Sequence, residues 1–92
     1  MVSEATKRIT RAMEGNIAAY FHPIDGRLAF LYPNGNINIY DSRTWENIGA
    51  KTVRKYGPNG KPLSRKELVG RADMSMSRDG FDRGGRVKGA RA

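Results

Sequence analysis

Arginine and lysine are the side chains through which this chain could do chemistry on a partner. Arg78, Arg83, Arg86, Lys88 and Arg91 are interleaved with Gly80, Gly84, Gly85 and Gly89. A guanidinium clamps a phosphate with paired hydrogen bonds and stacks on a base, and glycine lets the backbone follow a strand. Upstream, Lys51, Arg54, Lys55, Lys61, Arg65, Lys66 and Arg71 bracket Tyr56, with Glu67 as the only carboxylate between Ala50 and Ala72. Cations beside an aromatic ring suit phosphate contact with base stacking. These residues form the expected nucleic-acid-binding set.

The charge distribution points the same way. The 92 residues hold 17 Lys and Arg against 9 Asp and Glu, a formal net charge of +8. Residues 1–41 carry four basic and four acidic groups, and residues 42–92 carry thirteen against five. The whole excess lies in the second half, as expected of a protein with an anionic partner.

Enzyme chemistry is not expected. His22 is the single histidine, and cysteine is absent. That excludes disulfides and thiolate metal sites. No nucleophile elbow, phosphate loop or metal-ligand spacing occurs, so no catalytic residue, cofactor, metal or small-molecule substrate is expected. His22 with Asp25 is the one acid–base pair that can be drawn, and a chain this short offers little depth for a desolvated pocket. No apolar run approaches the ~18 residues of a membrane span, and Met1-Val2-Ser3-Glu4 does not open an export signal. The expected setting is intracellular, cytoplasmic or nucleoid-associated, without a membrane partner.

The elements that position the cations are read from spacing. Ser3 to Glu14 predicts a short helix: Ser3 as cap, Ala5, Ile9, Ala12 and Met13 on one face, Gly15 as stop. Ile17–His22, Arg27–Tyr32 and Asn36–Tyr40 predict three strands of an antiparallel meander. Pro23-Ile24-Asp25-Gly26 and Pro33-Asn34-Gly35 supply the turns. Residues 41–49 predict one or two helical turns. Pro58-Asn59-Gly60 predicts a second, smaller hairpin. Ser64-Arg65-Lys66-Glu67 is a capping box and predicts a helix to about Val69, stopped by Gly70. The expected fold is α+β: an N-terminal helix on a three-stranded antiparallel meander, one or two short C-terminal helices and a flexible basic tail. Residues 1–72 form the domain and 73–92 the Gly/Arg-rich tail, whose composition cannot repay ordering.

Parity assigns Ile17, Ala19, Phe21, Leu28, Phe30, Tyr32, Ile37 and Ile39 to the core face under the first helix. The other face carries Tyr20, Arg27, Asn36, Asn38 and Tyr40, which could read bases or be covered. Trp45, Leu68, Val69, Met74 and Met76 are the candidates for contact with a protein.

The order helix, three-stranded meander, helix resembles the double-stranded-RNA-binding domain over about residues 3–50, at the level of topology. That family's basic second-helix start would fall at Ser42 to Gly49, where Arg43 is the one basic residue. The family's function is therefore not carried over. A sheet followed by a helix is also similar to small three-stranded DNA-reading domains of integrases and plant-type transcription factors, again without a shared motif residue.

The reading is a small, non-enzymatic basic protein that binds DNA or RNA mainly through phosphates. The alternative is a regulatory adaptor or inhibitor, viral or from a mobile element, docking its basic half on an acidic protein surface. A structural component of a virion or ribonucleoprotein is a further alternative.

Overall fold

In a computed structural model of the chain, residues 7, 11 and 13–84 are described. Their elements are β1 (Ala18–His22), β2 (Arg27–Leu31), β3 (Asn36–Asp41), β4 (Asn47–Thr52), α1 (Arg65–Arg78) and β5 (Asp82–Arg83). The strands form one antiparallel sheet in the spatial order β4-β3-β2-β1-β5. The fold is α+β, but with five strands and one C-terminal helix in place of the arrangement expected. The helix predicted over residues 3–14 falls largely outside the described residues.

The three predicted strands form within a residue or so of their expected ends because their turns are encoded locally. Gly26 donates its N–H to the His22 carbonyl at 2.8 Å, and Gly35 to that of Tyr32 at 2.9 Å. Gly35 has φ +87°, and a Cβ there would stand 2.8 Å from the Val53 carbonyl oxygen. Glycine serves both needs at once, a left-handed turn and close passage of a neighbouring backbone.

Residues 41–49 do not form a helix. The Asp41 carboxylate accepts the N–H groups of Arg43 at 2.7 Å and Thr44 at 3.1 Å, which holds its ionisation below the usual carboxylate range. This caps a single turn, closed by the Trp45 N–H on the Asp41 carbonyl at 2.8 Å. Trp45, at φ +60°, reverses the chain, and Asn47 enters β4. The Asn47 amide donates to the carbonyls of Ile39 and Gly49 where the β3–β4 register shifts.

In β1 and β2 the helix covers the side opposite to the one expected, whereas Ile37 and Ile39 of β3 face it as expected. Leu31 stands across from both Ala18 and Ile37, and Ala29 across from Tyr20 and Ile39. Directly paired residues share a face, so Ala18, Tyr20, Ala29, Leu31, Ile37 and Ile39 belong together. They pack against Leu68, Ala72 and Met76 of α1, with Val53 and Phe81 closing the ends. The alanines leave room for the helix to approach, and Ala72 is fully buried.

That burial carries α1 through Gly70 to Arg78 instead of stopping it. The predicted capping box forms, with Ser64 Oγ accepting from the Glu67 N–H and the Glu67 carboxylate from the Ser64 N–H. A glycine in mid-helix costs about 1 kcal/mol, less than burying Ala72 and Met76 returns. The segment expected as tail from residue 73 thus holds the last turns of α1, then β5, as far as Gly84. Residues 85–92, with Arg86, Lys88 and Arg91, lie outside the described residues.

A polar brace ties β1, α1 and β5 together. The buried Tyr20 hydroxyl donates to Asp73 Oδ1 at 2.7 Å, and Arg83 Nη1 donates to Asp73 Oδ2 at 2.9 Å. Burial, then the Asp73 carboxylate, raises the Tyr20 pKa well above the usual phenol value. Burial, then the neighbouring Tyr40, pushes that of Tyr32 up to about 12. Both tyrosines keep their protons in the folded chain while the unfolded chain releases them above about pH 10. Their stabilisation is complete below that pH and is lost as pH rises towards the folded-state values. Urea unfolding from pH 9 to 11 is expected to show stability falling, and Tyr20→Phe to flatten the fall. At neutral pH that variant should be less stable by about 0.5–1.5 kcal/mol. Parallel declines in the two proteins would remove Tyr20 from this role.

Candidate nucleic-acid interface

The cations divide by whether a carboxylate holds them. Lys51 Nζ reaches from β4 to Asp79 at the end of α1, and depresses the Asp79 pKa. Arg83 is held in the brace on Asp73. Arg27 bonds Asp25, and Arg43 stands 3.9 Å from Asp41. Arg54, Lys55, Lys61, Arg65, Lys66, Arg71 and Arg78 are exposed, and none forms an ion pair or hydrogen bond with another described side chain. All seven belong to the expected set. Lys51 and Arg83, also of that set, are already neutralised.

Three of the seven converge. The end of β4 and the flank of α1 enclose a groove of about 540 Å³ lined by Thr52, Val53, Arg54, Arg71, Met74, Ser75 and Arg78. Arg71, Met74, Ser75 and Arg78 follow the i, i+3, i+4, i+7 spacing of one helix side. No carboxylate lines this groove. Arg71 also lines a second groove, of about 590 Å³, beneath the turn at Pro58-Asn59, with Lys61, Leu63 and Glu67. A third, between Asp73, Met74, Ser77, Phe81, Asp82 and Arg83, has mixed charge.

The arm carrying Lys61 is the predicted small hairpin. Tyr56 bridges Pro62, Gly57 donates to the Lys61 carbonyl at 2.8 Å and Leu63 to that of Lys55 at 2.9 Å. Tyr56 is about half exposed, with Lys55 Nζ 5.9 Å from its ring centre. Arg65 and Lys66 occupy the first turn of α1. The helix dipole disfavours cations there, so they add to a positive end at some expense of helix stability.

The remaining candidates sit elsewhere. Leu68 and Met76 are buried in the core, and Val69 packs against it. Trp45 is half-buried beyond the opposite sheet face, stacked on Phe30 at 6.2 Å between ring centres and close to Tyr40 at the same distance. Of the five residues expected to touch a protein, only Met74 is largely exposed, at 62%. The expected base-reading face is split. Tyr20 and Arg27 lie on the helix side, whereas Asn36, Asn38 and Tyr40 lie on the other.

His22 is explained by packing. It is 8% exposed, its Nδ1 accepts the Asp25 N–H at 3.0 Å and its ring meets Phe81 edge-on at 5.1 Å. Gly80, at φ +90°, lies so close that a Cβ would stand 2.7 Å from His22 Nε2. No three of His, Asp and Glu among the described residues could hold a metal ion, and no helix among them is long and apolar enough to cross a membrane.

The convergence of Arg54, Arg71 and Arg78 is hidden in the sequence because a helix ended at Gly70 cannot bring Arg71 and Arg78 into line. The signal was present: Leu68, Ala72 and Met76 recur at i, i+4, i+8 across that glycine. No protein-family model, curated protein or solved structure matches the chain.

Proposed function

We propose that the protein is a non-enzymatic nucleic-acid-binding protein that holds its ligand chiefly through phosphates. The observation carrying this reading is the groove between β4 and α1, where Arg54, Arg71 and Arg78 meet with no carboxylate among the lining residues. Three guanidiniums lining one groove give it a positive potential that a bound polyanion matches. Their planar donors match phosphate oxygens in pairs. Lys55, Lys61, Arg65 and Lys66 extend the positive surface along the arm and the helix start, as phosphate-led binding requires.

Affinity for labelled single-stranded DNA, single-stranded RNA and duplex DNA, measured across a salt series, tests the reading. The full chain should bind with steep salt dependence. The variant R54Q/R71Q/R78Q should bind more weakly at every salt concentration, with the slope of log K against log salt reduced by about 2–3, close to one unit for each lost phosphate contact. An unchanged slope would show that these arginines do not touch the ligand.

A further inference from the structure

We infer that the groove between β4 and α1 takes a single strand, its phosphates on Arg54, Arg71 and Arg78 and the face of an unpaired base on Met74. This rests on the nucleic-acid reading above and adds to it the strandedness of the ligand and a base contact.

Met74 is the first reason. It is 62% exposed on the outer side of α1, whereas Leu68, Ala72 and Met76 supply the buried side. It stands in the groove lining between Arg71 and Arg78. A phosphate gains nothing from an apolar wall. A base face does, because the thioether is polarizable and packs well on aromatic rings. In a duplex those faces are stacked inside, and a side chain meets base edges only. Contact with a face requires an unpaired base.

The choice of cation is the second reason. All three cations of this groove are arginines, whereas the arm and the helix start carry Lys55, Lys61 and Lys66. A guanidinium stacks on a base as well as clamping a phosphate, which an ammonium does not.

Continuity is the third. Arg71 and Arg78 are seven residues apart on α1, about 11 Å along its axis. Arg71 also belongs to the adjoining groove that leads past Lys61. The cations therefore line a path along the helix, which suits a chain of nucleotides.

The test compares an unstructured single strand, as DNA and as RNA, with a duplex of the same sequence, using the full chain and its M74A and M74L variants. At one salt concentration near physiological, the single strands should bind tighter than the duplex by about tenfold or more, the scale of one base-stacking contact. M74A should weaken single-strand binding about three- to tenfold while leaving the salt slope and the melting temperature unchanged, and M74L should restore most of the loss. Salt-dependent binding with the duplex equal to or tighter than the single strand overturns the single-strand assignment and leaves the nucleic-acid reading intact. Unchanged single-strand affinity in M74A overturns the base contact. Absence of binding to all three ligands overturns both this inference and the function on which it rests.

Discussion

Arg71→Glu is expected to lower nucleic-acid affinity by about a hundredfold or more, the largest loss from any single substitution on the surface. A hydrogen bond to a charged group contributes roughly 1.5–3 kcal/mol, and reversing the charge adds repulsion of the phosphates to that loss. Arg71 is singled out because it lines both the arginine groove and the adjoining one beside Lys61. Folding should be nearly untouched. Arg71 is exposed, and its attraction to Glu67 one turn earlier is screened by solvent. Lys51→Gln and Arg71→Gln supply the comparison. Each removes one positive charge, but Lys51 is engaged by Asp79. Fluorescence titration of both should show the smaller loss for Lys51→Gln. Equal losses would mean that diffuse charge, and not the groove, holds the ligand.

Met76→Ala is expected to destabilise the fold by about 2–5 kcal/mol, the range for truncating a large buried apolar side chain. A chain of this length has roughly 5–14 kcal/mol of stability in all, so the loss is a large share of it. Met76 is fully buried in the cluster formed with Tyr20, Leu31 and Ile37. No described element other than α1 covers that side of the sheet, so the cavity has little from which to refill. Met74→Ala, two residues earlier and on the outer side of the helix, should leave the urea midpoint within error of the parent. The sequence offers Met74 and Met76 alike as candidates for protein contact. Equal destabilisation by both substitutions would mean that α1 is turned differently about its axis.

Much of the architecture is written locally. Pro23 to Gly26 and Pro33 to Gly35 form tight turns wherever the chain between them is extended. Asn36 to Tyr40 alternates as a strand does, and Ser64 with Glu67 satisfies two otherwise orphaned N–H groups at the start of α1. The concentration of cations after residue 42 is likewise a property of the sequence. These features depend on neighbours a few residues away, so the order of residues is enough to specify them.

What escaped the sequence depends on distant neighbours. Both faces of β1 and β2 are apolar enough to be core: Phe21, Leu28 and Phe30 argue for one, Tyr20, Ala29 and Leu31 for the other. The helix decides between them, because Leu68, Ala72 and Met76 fit over the small residues Ala18 and Ala29, and because the Tyr20 hydroxyl finds Asp73 there. The predicted helix at 41–49 ends after one turn because Trp45 takes a left-handed conformation and the chain beyond it pairs with β3 as β4. The same burial extends α1 past Gly70, and so sets Arg71 and Arg78 on one side beside Arg54. The number of cations and the turns and caps follow from the order of residues. Which cations acids neutralise and which stand together follows from the fold, because charge pairing acts through space over a few ångströms and the partners are far apart in the chain, as Lys51 and Asp79 are.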